Sequence, residues 1–210
     1  MDFKNDRVYE FIQKLASDSP VPGGGGAAAL TAALSGALSS MVFNLTIGKK
    51  SFEAMDDEIK SHVRQCLEDC KEKIIDFQEF MTRDGEAFSS LMEAYKLPKS
   101  SEDEIRLRDM KIQEGLSNSM LVPYNLAKEV LGLYNSIEAA ALYGNKNVIS
   151  DAGVSAILAH GAAESCILNV MVNLKFLSGD NDEIKEECRG FLEKSKACKD
   201  RIMEMVYSKI

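Results

Sequence analysis

A 210-residue chain with 33 acidic and 25 basic residues, net charge −8, lacks the basic surplus that a nucleic-acid partner demands. The length suits one domain with a sizeable core. Absence of tryptophan, few aromatics, and common Ala, Leu, Met, Glu and Lys favour helices.

The five cysteines, Cys66, Cys70, Cys166, Cys188 and Cys198, are odd in number and scattered. The N-terminal run is charged and carries no apolar signal region, so a reducing cytoplasm is expected. His62, Cys66 and Cys70 share a helical stripe, but one helix rarely supplies three ligands to one ion, and no metal site is expected.

Residues 3–16 read as an amphipathic helix, with Val8, Phe11, Ile12 and Leu15 at helical spacing. It ends at Ser17-Asp18-Ser19-Pro20-Val21-Pro22-Gly23-Gly24-Gly25-Gly26. Prolines stiffen this approach and glycines let the backbone turn and come close to a neighbour. The helix that starts there presents unpaired N–H groups and a positive dipole end, a place for an anion or a polarised oxygen. A tight connection between two closely crossing helices explains the same residues.

No charge occurs between Asp18 and Lys49, and residues 25–47 read as one uncharged helix. Its Thr31, Ser35, Ser39, Ser40, Asn44 and Thr46 favour a buried core helix over a membrane span. Small residues at Ala29, Ala33, Gly36, Ala37 and Ser40 allow another helix to approach, within the chain or across a two-fold axis. Residues 51–95 read as one long helix or two collinear ones, with a possible interruption at Gly85. Ser101-Glu102-Asp103-Glu104 is a capping-box start, and Pro123 is expected to break or kink the helix that follows. After the Gly144-Asn145-Lys146-Asn147 turn, Ser150-Asp151 is expected to cap a buried helix reaching about Leu177. Asp151, Ser155, Cys166, Asn169 and Asn173 share one face of it, either as an inter-helix network or as the wall of a site. A last amphipathic helix begins after Ser178-Gly179-Asp180-Asn181. The expected fold class is all-α, a bundle of five to six long helices in a single domain, 1–210.

Two familiar motifs fail in context. Gly24-x-Gly26-x-x-Ala29 has no preceding strand, and Gly48-Lys49-Lys50-Ser51 lacks the earlier glycine of a phosphate loop. What remains is polar residues at the ends of two apolar helices. Ser19, Pro22, Gly23 and Gly24 open one, and Asn44, Lys49 and Lys50 close it; Asn145, Ser150 and Asp151 open the other, and Asn169 and Asn173 lie along it. Asp84 interrupts an apolar face of the long helix between them. Singly, each reads as a cap or a satisfied core residue. Together they point to a pocket but not to a reaction.

Ser19 to Ala29 followed by Met41-Val42-Phe43-Asn44-Leu45-Thr46-Ile47-Gly48-Lys49-Lys50 resembles the cyclodeaminase/cyclohydrolase family of folate enzymes. Asp84-Gly85-Glu86-Ala87-Phe88, Gly144 to Val154, and Asn169-Val170-Met171-Val172-Asn173-Leu174 are similar to further family segments in the same order. Gly26 and Gly85 depart mildly from the pattern. The resemblance implies an all-helical, cytoplasmic homodimer with no metal, no cofactor and no membrane attachment. Its substrate would be a tetrahydrofolate one-carbon derivative, with or without a polyglutamate tail. It implies cyclisation of 5-formiminotetrahydrofolate to 5,10-methenyltetrahydrofolate with release of ammonia; methenyltetrahydrofolate cyclohydrolase is the alternative, and a non-catalytic helical interaction protein a third reading. Asp84 and Asp151 are the candidate acid and base. Ser19, Pro22, Gly23, Gly24, Asn44, Asn145, Ser150, Asn169 and Asn173 are candidate substrate contacts, and Lys49 or Lys50 would meet the substrate's glutamate.

Overall fold

The computed structural model describes residues 3–210. After a 3-10 turn at Phe3–Asn5 come α1 (Val8–Leu15), α2 (Gly24–Asn44), α3 (Lys50–Glu53), α4 (Asp57–Tyr95) and α5 (Glu102–Tyr143). A second 3-10 turn, Lys146–Val148, leads into α6 (Ile149–Leu174), and α7 (Asp182–Tyr207) closes the chain. Five of these helices are long, and no strand occurs among the described residues, as the composition indicates.

Four helices make the core. Helix α2 packs between α4 and α6, α5 packs between the same two on the far side, and α7 lies over α5 and α6. Short connections force neighbours to run antiparallel. Helix α2 is uncharged because both its flanks are buried. On the α4 side a Cβ at Gly36 would stand 3.0 Å from Ile74 Cγ1, so the Ile74 side chain packs directly onto the α2 backbone. On the α6 side the Ser35 hydroxyl donates to the Ser155 carbonyl and the Ser155 hydroxyl to the Ser35 carbonyl, each at 2.8 Å, with Ser39 Oγ 2.9 Å from Ser155 Oγ. The polar stripe of α6 is therefore an inter-helix network at its middle. All three serines are buried, and an unpaired hydroxyl there would cost about 1–3 kcal/mol.

Three local expectations change. The capping box stands, with Ser101 Oγ accepting from the Glu104 N–H, but α5 then runs unbroken through Pro123. Proline removes the bond to the carbonyl four residues earlier, that of Ser119. Here the Asn173 amide of α6 donates to that carbonyl at 3.2 Å, and packing holds the helix. Helix α4 likewise continues through Gly85, which is buried. Ser150 and Asp151 fall in the first turn of α6 rather than at its cap, because Lys146–Val148 already winds as a 3-10 turn. There Asp151 complements the helix dipole.

Candidate active site

The glycine loop, α4, α5 and α6 enclose a cavity of about 150 Å³ at the N-terminal end of α2. Its walls include Val21, Gly23, Gly24 and Gly25 from the loop, Asp84 and Phe88 from α4, Ser119 from α5, and Asn169 and Asn173 from α6. The Val21–Pro22 peptide is cis, and the Ser19 hydroxyl donates to the Val21 carbonyl at 2.6 Å. Ser19 is exposed and shapes the loop; Pro22 is buried beneath it.

The anion that the start of α2 calls for is supplied by the chain itself. Asp84 Oδ2 accepts from the Gly26 N–H at 3.0 Å. A Cβ at Gly25 would stand 2.0 Å from Asp84 Oδ1, so only glycine admits the carboxylate there. Burial pushes the Asp84 carboxyl above its ordinary range, and the Gly26 hydrogen bond offsets this in part. The buried Cys166 thiol is pushed up too, by burial first and then by the charge of Asp84. A carboxyl poised in this way can take up and return a proton.

Asn169 and Asn173 form the opposite wall. Their amide nitrogens donate to carbonyls, Asn169 to Ser165 at 2.8 Å and Asn173 to Asn169 at 3.0 Å. The Asn169 side chain comes within 3.3 Å of a Cβ placed on Gly24, so it stands against the loop. Ser119 was absent from the sequence-based candidates. Its signal was Pro123, four residues on, which releases the Ser119 carbonyl.

The remaining candidates lie elsewhere. Helix α2 has 21 residues, so its two ends are about 30 Å apart. Asn44, Lys49 and Lys50 are exposed at the far end. Asn145 is held there too: its N–H donates to Thr46 Oγ1 at 2.8 Å and its side chain to the Leu45 carbonyl at 3.1 Å. Ser150 and Asp151 begin α6 beside it. Within one chain, Asp84 and Asp151 do not share a pocket. Among the described residues no group of three or more His, Cys, Asp or Glu converges as metal ligands would; Cys66 Sγ stands 3.7 Å from a ring nitrogen of His62.

Residues 7–205 match the family model described as formiminotransferase-cyclodeaminase. A methenyltetrahydrofolate cyclohydrolase of Methylorubrum extorquens is 39% identical over 208 residues, covering 98% of both chains. A formimidoyltransferase-cyclodeaminase of Gallus gallus is 35% identical over 170 residues, and the match covers 81% of this chain but 31% of that longer protein. The crystal structure of a formiminotetrahydrofolate cyclodeaminase from Thermotoga maritima superposes with a TM-score of 0.78 at 28% identity, covering 98% of this chain and 96% of that one.

Proposed function

The chain belongs to the formiminotransferase-cyclodeaminase family of enzymes, and from that premise we propose that it cyclises 5-formiminotetrahydrofolate to 5,10-methenyltetrahydrofolate with release of ammonia. The observation that carries this is Asp84, a half-buried carboxyl of raised proton affinity in a cavity lined by asparagines and a serine. Asp84 carries the proton traffic at the reacting carbon. The formimino group reacts as its cation, its nitrogen already carrying two protons, and the Asp84 carboxylate takes the N10 proton as N10 bonds to the formimino carbon. The carboxyl then returns that proton to the exocyclic nitrogen. The carbon–nitrogen bond breaks, its electron pair leaves on ammonia, and the N5 lone pair completes the methenyl cation. Asn169 and Asn173 hold the pterin edge, and the Gly23–Gly24 backbone lies against it. The route needs no metal and no cofactor.

A second reading, methenyltetrahydrofolate cyclohydrolase, is favoured by the full-length relative of that name. It passes through the same tetrahedral carbon, with water in place of ammonia. Purified protein is offered 5-formiminotetrahydrofolate and 5,10-methenyltetrahydrofolate separately while methenyl absorbance is followed. Methenyl formation with ammonia establishes the first reading, and accelerated methenyl loss alone the second. No turnover of either by folded protein overturns both.

The working unit in this reading is a homodimer. The outer face of α2 and α6 is nearly free of charge yet leaves Leu34 50%, Leu168 65% and Val172 62% exposed. Patches of this kind mark interaction sites. Leu34 is the midpoint of Gly24–Asn44. A two-fold axis near it sets the lysine end of one α2 beside the glycine end of the other, and Lys49, Lys50, Asn44, Asn145, Ser150 and Asp151 of the second copy then approach the cavity of the first. Mixing Asp84→Asn with Asp151→Asn protein tests this. A composite site regains up to about a quarter of wild-type activity, because half the dimers are mixed and each carries one intact site. No recovery, with dimers exchanging, removes Asp151 from the mechanism.

A further inference from the structure

Hydroxyls within these helices have a consistent habit. Thr31 donates to the Ala27 carbonyl, Thr46 to Val42, Ser89 to Gly85 and Ser165 to Gly161, each four residues back and at 2.6–2.8 Å. Thr82 and Ser119 both bury hydroxyls with no hydrogen-bond partner among the described residues, and of the two it is Ser119, 8% exposed, that lines the cavity holding Asp84. Leaving a buried hydroxyl unpaired is unfavourable, and native structures seldom do so without a use for it.

The surroundings tell what the use is. Pro123 frees the Ser119 carbonyl, and Asn173 fills that gap from α6 at 3.2 Å. The backbone of Ser119 is thereby fixed to the opposite wall, while its side chain stays uncommitted at the edge of the cavity that holds Asp84. At about 150 Å³ the cavity is smaller than pockets that enclose drug-sized ligands, so it admits only part of a folate, the pterin edge and the reacting carbon beside it. That part carries one small group able both to donate and to accept: the exocyclic amine or hydroxyl on the carbon between N5 and N10. A serine hydroxyl matches either.

We propose that Ser119 is a catalytic residue whose hydroxyl holds the amine or hydroxyl on the tetrahedral carbon of the adduct. The assignment rests on the folate reading above. Proton transfer stays with Asp84, and Ser119 gains and loses no proton. One contact thus serves a group leaving as ammonia and one arriving as water.

The test is Ser119→Ala, with Ser119→Thr as the variant that keeps a hydroxyl. Removing an unpaired hydroxyl breaks no bond, so ligand-free Ser119→Ala melts at or above the wild-type temperature. Its kcat falls on the order of 100-fold with KM little changed, as for loss of one oriented donor. Ser119→Thr, assayed below its own melting temperature, recovers part of that kcat. Wild-type kcat in Ser119→Ala overturns the proposal and leaves the folate reading standing. So does a lowered melting temperature with activity lost only in proportion to unfolded protein. Wild-type protein inactive on both folates removes the reading and this inference together.

Discussion

The two ends of the α2–α6 pair carry the same kinds of residue and make different things of them. At the glycine end, Asp84, Ser119, Asn169 and Asn173 come from three helices and converge on one cavity. At the lysine end, Asn145 spends its hydrogen bonds on Leu45, Thr46 and Asn147, while Asn44, Lys49 and Lys50 face solvent. Burial separates them. Where three helices close over a polar group, its proton affinity shifts and its partners are fixed; where a turn faces water, the same groups cap backbone and little more. The glycine end is chemistry held by one chain. The lysine end of the same chain stands about 30 Å from that cavity.

The sharpest way to break this contrast is Asp84→Asn. Asparagine keeps an acceptor for the Gly26 N–H, so the fold remains, but no group is left to take the N10 proton. We expect turnover to fall about 1,000-fold, within the range of general acid–base catalysis. Methenyl absorbance and a thermal melt measure the two halves of the claim. Turnover within a few-fold of wild type reduces Asp84 to a cap of α2.

Gly25→Ala attacks the same end through the backbone. The new Cβ would overlap the Asp84 carboxylate, so the carboxylate or the loop must move. A displacement of this size costs about 100-fold in rate and about 1–3 kcal/mol in stability. Gly48→Ala is its counterpart at the lysine end. Gly48 has φ +80° and open space around it, so alanine brings backbone strain of about 1–2 kcal/mol with activity unchanged. Denaturant melts and assays of the two variants side by side sharpen the comparison. Equal loss of activity in both would make the backbone at Gly48, and not only the side chains beyond it, part of the working site.

The sequence showed the glycine end only in part, for a physical reason. Helical periodicity located four of the long helices, because each buries a stripe, and an unbroken uncharged run located α2, buried on both flanks. The glycine run announced a close approach, and the partner turned out to be Asp84, 58 residues away from Gly26. Periodicity along one helix says nothing of such a partner. Pro123 misled, because proline's effect on an isolated helix is a kink, and the Asn173 amide that compensates lies on another helix. Pro123 marked the Ser119 carbonyl but not its hydroxyl, because an unpaired hydroxyl is defined by what is missing around it in space. Residues at the lysine end were read as candidates on type alone, and type does not tell a cap from a contact.

A milder effect comes from pH. The folded Asp84 carboxyl has a pKa above its ordinary 3.8, burial being the cause. Protonation therefore favours the folded state. The stability this contributes is fully present below the unfolded value and is lost as pH rises through the folded one. Wild type should be most stable relative to Asp84→Asn at the acid end, and that advantage should shrink toward neutral pH. Paired melts at several pH values measure the difference. An advantage that grows with pH would mean a carboxylate stabilised as the anion, and the shift would run the other way.

The smallest expected effect probes the lysine end alone. Lys49 and Lys50 are exposed, and surface charges of this kind contribute little to folding, so replacing both with alanine should leave the melting temperature nearly unchanged. If they greet the substrate tail from a second copy, KM for a polyglutamylated folate rises about 3-fold to 10-fold while KM for the monoglutamate stays put. The rise fades at high salt, because the attraction is between exposed charges. Leu34→Glu, at the centre of the uncharged face, supplies the control. It should separate the copies and abolish the tail preference along with the dimer, since Lys49 and Lys50 of one chain stand about 30 Å from that chain's own cavity. A tail preference that survives in a monomer would assign the anchor to the glycine end, and the two ends of α2 would then no longer divide the labour.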